Sequence, residues 1–304
     1  MTVTAEFGND PDKITGYRAF WRREAVQKPL VGFSIKSWFP ADEFTASQAW
    51  GTDGHLTPEQ VHPAQYLDEQ EAMLREGETI GDDILRGACP HQGVGWLAGM
   101  LGLSIRVLPG STMHEHRCLA WRDIGQIGLD AEQAWYRQYM AFIDALVERA
   151  EGRYPVSHGM LSGPTDLLSS FRGPTQAIMD LVDQPGEAEE AIWHFARILE
   201  EITRLAWQRI PLCHDGYFDA QYQLWTPGPI IRMQEDAAAL YSPDLYRRFV
   251  QPVDRYLAGR FESAFMHLHT TTLFLLDEIL EIEELRCLEM NYEVHSGGPP
   301  IDEL

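Results

Sequence analysis

An α/β fold, a parallel sheet covered by helices, is what this sequence predicts, and three observations predict it. Short apolar runs alternate with helical patterns along the chain. One of those runs, Ala264-Phe265-Met266, leads into His267-Leu268-His269, whose imidazoles at i and i+2 of a strand point the same way. No internal repeat, low-complexity tract or Gly/Ser linker divides the 304 residues, and 44% hydrophobic content suffices for a large core. A single domain over 1–304 is expected.

The elements follow in order. Pro11 to Gln27, with Tyr17, Phe20, Trp21 and Ala25 near helical spacing, reads as a lead-in helix within an N-terminal segment 1–28. Candidate strands are Leu30 to Ile35, a weaker one near Ile80 to Ala88, Leu103 to Leu108 ending at Pro109-Gly110, and Tyr154 to Leu161. The aromatic-rich stretch Cys213 to Trp225, Ala264 to His269 and Arg286 to Tyr292 complete them. Helical patterns cover Ala131 to Ala150, Glu187 to Gln208, Pro243 to Glu262 and Leu273 to Leu285. Ser242 is a good N-cap, Pro243 suits the first helical position and Asp244 favours the positive end of the helix dipole.

Composition excludes several classes. The formal net charge of -22, from 46 acidic against 24 basic residues, argues against nucleic acid and acidic lipid, which require a positive surface. No apolar run approaches the roughly 18 residues of a membrane span. The acidic start, Met1 to Asp12, is unlike a signal peptide. A cytoplasmic protein is expected, and its four cysteines, Cys89, Cys118, Cys213 and Cys287, form no CxxC pair and are expected to be reduced.

Three regions can carry chemistry. His267 and His269 sit at the C-terminal end of a strand, where α/β proteins place ligands, and form half of a metal site; a strand-end histidine also serves simply to bond the loop above. Glu235 and Asp236, in Met233-Gln234-Glu235-Asp236-Ala237, can bind a metal, act as general base, or cap the following turn. His114-Glu115-His116 is a second H-x-H, better read as a solvated loop. Tyr217, Asp219, Tyr222 and Trp225 can line a small-molecule pocket, although core packing accounts for such aromatics equally well.

The order of these features resembles the uroporphyrinogen decarboxylase superfamily, over about Leu30 to Pro300. The resemblance is carried by Ser162-Gly163-Pro164-Thr165-Asp166-Leu167-Leu168, by Asp180 to Pro185, by Leu240-Tyr241-Ser242-Pro243-Asp244-Leu245-Tyr246 with its continuation to Pro252, and by the His267 strand. It implies a (β/α)8 TIM-type barrel with its site at the C-terminal strand ends. The candidate strands fall one short of the eight that close such a barrel, and after Tyr292 the sequence turns through Gly297-Gly298-Pro299-Pro300, so the expectation is either a barrel lacking its last strand or a gap covered by a partner or an irregular segment.

Departures from the family pattern choose the branch. The arginine-rich motif of the decarboxylases is replaced by Gly32-Phe33-Ser34-Ile35-Lys36-Ser37-Trp38, which argues against porphyrinogen decarboxylation. The corrinoid and zinc methyltransferases of the superfamily carry His-x-Cys at the matching strand and a further C-terminal cysteine. Here the pair is His267 and His269, and no cysteine follows Cys287, which falls at the wrong end of its strand. The resemblance therefore implies a methyltransferase-like enzyme acting on a small methylated substrate or a methyl-corrinoid partner protein. Zinc would be held by His267 and His269, and Glu235 or Asp236 would complete the site or act as base. A homodimer is a family-level expectation. Two alternatives stand beside it: a metal-free decarboxylase or lyase using His267 and Asp236 as an acid/base pair, and a non-catalytic protein that holds a corrinoid or other small ligand.

Overall fold

The structure is a computed structural model that describes residues 6–33 and 43–292. Within them the chain is mixed α/β and divides into two compact units. One comprises 1–114, 129–160 and 203–230; the other comprises 115–128, 161–202 and 231–304. Eight strands form three separate sheets among the described residues, of three, two and three strands, none of them closed. No helix among the described residues is long and apolar enough to cross a membrane, and all four cysteines are free.

In the first unit, β1 (His55–Leu56), β2 (Ile105–Leu108) and β3 (Ser111–His114) form an antiparallel sheet. The strand expected to end at Pro109-Gly110 does end there, but it turns straight back as a hairpin rather than crossing over to a parallel neighbour. Leu108 pairs with Ser111 across the two-residue turn, and Gly110 takes a φ of 68° that the turn requires. The strands expected near Ile80 to Ala88 and Tyr154 to Leu161 meet in one parallel bridge, Ala88 to Val156. Leu30 to Phe33 is not a strand, and the remainder of that expected run lies outside the described residues. Its backbone is satisfied by side chains instead of a ladder: Asp83 accepts from Val31 N at 3.2 Å and Asp82 from Phe33 N at 2.9 Å.

The lead-in helix spans Lys13–Trp21. It docks on the hairpin β4 (Tyr217–Asp219) and β5 (Leu224–Thr226): Tyr17 donates its hydroxyl to the Gln223 carbonyl at 2.6 Å, and Trp21 donates its indole N–H to the Trp225 carbonyl at 2.6 Å. Beneath them Ile14, Tyr17, Leu85, Cys89, Phe218 and Trp225 pack as one apolar cluster. Each such large side chain contributes about 1.5–3 kcal/mol by leaving water. The helix expected over Ala131 to Ala150 spans Ala134–Ala150 and buries Trp135, Tyr139, Phe142, Ile143 and Leu146 along one face.

In the second unit, β6 (Ile230–Gln234), β7 (Ser263–His269) and β8 (Cys287–Asn291) form a sheet in that order. β7 and β8 are parallel, in a register that pairs Phe265 with Cys287, His267 with Glu289 and His269 with Asn291. The crossover between them is a 3-10 run, Thr270–Leu275, followed by helix Leu276–Leu280. The segment expected as one helix from Pro243 is divided: Pro243–Leu245, a π-turn over Tyr246–Val250, then Gln251–Ala258. Pro252 explains the break, since it has no N–H for the ladder and its ring crowds the carbonyl four residues back. The Ser242 cap forms as expected, its hydroxyl accepting from Leu245 N at 3.2 Å.

Candidate metal centre

β7 is buried along its length and delivers His267 and His269 to its C-terminal end, on one face. Their Nε2 atoms lie 3.2 Å apart, with the rings edge to face. Asp236, in the turn that follows β6, brings Oδ1 to 3.7 Å from His269 Nε2. Among the described residues, these three side chains form the group whose ligand atoms all fall within 4.8 Å of one another. Two nitrogens bound tetrahedrally at the usual zinc distance would be about 3.3 Å apart, close to the separation present.

Neighbouring polar groups set the direction of each of these atoms. Glu289, the cross-strand partner of His267 on β8, bonds its Nδ1. A carboxylate can only accept there, so Nδ1 carries a proton and Nε2 is the ring nitrogen that faces His269. Gln234 donates its side-chain N–H to Asp236 Oδ2, and Arg232 donates to the Gln234 carbonyl oxygen at 2.5 Å. Asp236 therefore has one oxygen occupied and the other turned to the histidines. His267 is buried, His269 is half-buried and Asp236 is exposed, so the group opens to solvent on the Asp236 side.

Glu235 lies beside Asp236 but faces inward. It accepts from the backbone N–H of Thr165 at 2.9 Å and from the Thr165 hydroxyl, while Oε1 is buried with no hydrogen-bond partner among the described residues. Burial, then the nearby Asp254 and Asp166, hold its carboxyl well above the usual carboxylate range. Burial also pushes Asp254 up to about 7, and burial with Asp236 nearby does the same for Asp166.

The other candidates from sequence are placed elsewhere. Tyr217, Asp219, Tyr222 and Trp225 all belong to the first unit. Trp225 is fully buried in the apolar cluster, Asp219 is buried and accepts from Tyr222 N at 2.9 Å, and Tyr217 packs edge-on to Trp207. Tyr222 lines an apolar pocket of about 610 Å³ with Tyr17, Phe20 and Leu30. His114 closes β3, with Glu115 and His116 exposed in the segment that follows. Cys287 starts β8, and partial burial pushes its thiol up to about 11.

A different buried histidine, His91, sits in the first unit. His91 is enclosed by Phe44, Trp50 and Tyr66, with Nε2 3.0 Å from Ser47 Oγ. Gly93 N donates to Nδ1 at 2.9 Å, so the ring proton sits on Nε2 and points at the serine. This is the reverse of a general base, and burial pushes the imidazole down to about 3.

Sequence reasoning missed Glu289, Gln234 and the strand β6. Gly228-Pro229 ahead of Ile230-Ile231-Arg232-Met233 is a usable strand signal for β6. Glu289 stood inside an expected strand, but only the register of β8 against β7 makes it the partner of His267.

No protein-family profile and no curated protein matches the sequence. A solved structure of a methyltransferase from Methanosarcina mazei is similar, with a TM-score of 0.64 and 13% sequence identity, over 91% of this chain and 75% of that one. At that identity the likeness is one of fold.

Proposed function

We propose that this chain is a methyltransferase-like enzyme of the uroporphyrinogen decarboxylase type. On this reading its fold derives from the (β/α)8 barrel. It acts in the cytoplasm on a small methylated substrate or a methyl-corrinoid partner protein, at a metal held by Asp236, His267 and His269. The observation that carries the reading is the convergence of those three ligand atoms at a strand end, on a fold similar to that of a methyltransferase. Two imidazoles and a carboxylate are a donor set that suits zinc and leaves a fourth position open. Bound there, the metal would supply Lewis acidity, lowering the pKa of a coordinated water or thiol.

The chain's own residues prepare that chemistry. Glu289 keeps a proton on Nδ1 of His267, which makes Nε2 the nitrogen that would serve a metal. Gln234 occupies one oxygen of Asp236 and leaves the other for the site. Burial holds the Glu235 carboxyl well above the usual carboxylate range, which suits the acid or base role proposed for it beside Asp236. Of Tyr217, Asp219, Tyr222 and Trp225 in the first unit, Tyr222 on the wall of the apolar pocket is the one placed to meet a small molecule.

The test is metal content of the purified protein together with methyl transfer from methylcobalamin to a thiol, with and without chelator. Stoichiometric zinc and chelator-sensitive transfer are expected. Absence of any stoichiometric divalent ion, with activity intact in His267→Ala, would overturn the reading. Chelator-insensitive decarboxylation or elimination would favour the lyase alternative, and stabilisation by a corrinoid without product would favour the binding protein.

A further inference from the structure

We infer that Gly163-Pro164-Thr165-Asp166 is a positioning clamp for Asp236, which sets the ligand geometry from the first turn of helix Pro164–Arg172; the inference rests on the reading of Asp236, His267 and His269 as a ligand set. Asp236 sits on a short turn after β6 and is itself exposed, so its direction depends on the path of the backbone from Gln234 to Ala237. Three contacts fix that path. Gly163 lies so close to the Gln234 carbonyl that a Cβ at this position would overlap the oxygen. Thr165 donates both its backbone N–H and its hydroxyl to Glu235. In the opposite direction, Ala237 N donates to Asp166 Oδ1 at 2.8 Å, and the Asp236 backbone also bonds that carboxylate. Three residues of one segment, Gly163, Thr165 and Asp166, thus hold four consecutive residues of the other, with donors and acceptors exchanged both ways. None of the clamp residues belongs to the ligand group, so their effect on a metal passes through Asp236.

The experiment compares the wild type with Thr165→Val, Thr165→Ser, Asp166→Ala and Asp166→Asn. It reads zinc affinity by competition with a chromophoric chelator, the visible absorption of the cobalt(II)-substituted protein, and the thermal midpoint. Leu181→Ala, a buried site on the helix Pro174–Asp183, serves as a control that lowers stability without touching the clamp. Thr165→Val and Asp166→Ala are expected to weaken zinc about 10-fold or more and to change the cobalt spectrum, as loss of outer-sphere partners does. Thr165→Ser should restore both, Asp166→Asn should fall between, and Leu181→Ala should lower only the midpoint. Wild-type affinity and an unchanged spectrum in Thr165→Val and Asp166→Ala would overturn the clamp while leaving the ligand set standing. If the wild type itself takes up neither zinc nor cobalt, the ligand set fails and the clamp with it.

Discussion

His91 and His267 are both buried histidines with one ring nitrogen bonded to an oxygen, yet their arrangements are opposite in chemical sense. At His91 a backbone N–H fills Nδ1 and the ring proton is committed to Ser47, inside a cage of aromatic rings. Both nitrogens are used, and the imidazole ties together parts of the first unit. At His267 a carboxylate accepts from Nδ1, and Nε2 faces Nε2 of His269 at 3.2 Å, beside an exposed Asp236. The difference teaches that the partner of the non-reacting nitrogen decides the role. A donor there leaves a structural histidine, whereas an acceptor there leaves a ligand or base.

Substitutions should separate the two roles, beginning with the largest effect. His267→Ala is expected to lower zinc affinity by about 100-fold or more with a small change in stability, read by chelator competition and urea unfolding. His91→Ala should show the converse, losing about 2–4 kcal/mol of stability to the cavity left in the aromatic cage while metal stoichiometry stays unchanged. Equal loss of metal in the two variants would break the comparison.

Finer tests sharpen it. Glu289→Gln keeps the shape but replaces a pure acceptor with a group that can also donate, and zinc affinity should fall about 10-fold. Ser47→Ala should cost about 1 kcal/mol of stability and no metal. The pH dependence of the thermal midpoint adds a sign. His91 has a folded pKa depressed to about 3 from an ordinary value near 6.5, so the stability it contributes is present above about pH 6.5 and is lost as pH falls toward 3. Asp254, raised to about 7 from 3.8, acts oppositely: its contribution is full below about pH 4 and is lost as pH rises through 7. His91→Gln should flatten the acid limb and Asp254→Asn the neutral one; an unchanged profile in either variant would show that the residue does not control that limb.

Legibility in the sequence followed the range of the interactions involved. β7 with its histidine pair, β8, the helix Ala134–Ala150 and the Ser242 cap are local patterns of period and punctuation, and each was readable along the chain. The expected strand at Leu30 and the long helix after Pro243 were not delivered as read. In the first, the carboxylates of Asp82 and Asp83, distant in sequence, outcompete a ladder; in the second, Pro252 interrupts the ladder of the preceding turn. Within the site, the histidine pair and Asp236 were legible as residue types. Glu289 and the Gly163 to Asp166 segment act through strand register and tertiary docking, which no local pattern encodes.

The π-turn at Tyr246–Val250 bears on how this chain tolerates insertion and deletion. A π-turn holds one residue more than the α-helical ladder needs, and here Gln251 N bonds back to Tyr246 O, five residues earlier. Deleting one residue between Arg247 and Phe249 would let the turn relax to regular helix, but it would rotate Tyr246 by about 100° relative to Gln251–Ala258. The Tyr246 hydroxyl would then leave Asp254, which it now meets at 2.7 Å. At this point in the chain length itself is an alignment device: a shorter relative could keep every hydrogen bond of the helix and still lose the tyrosine–aspartate contact.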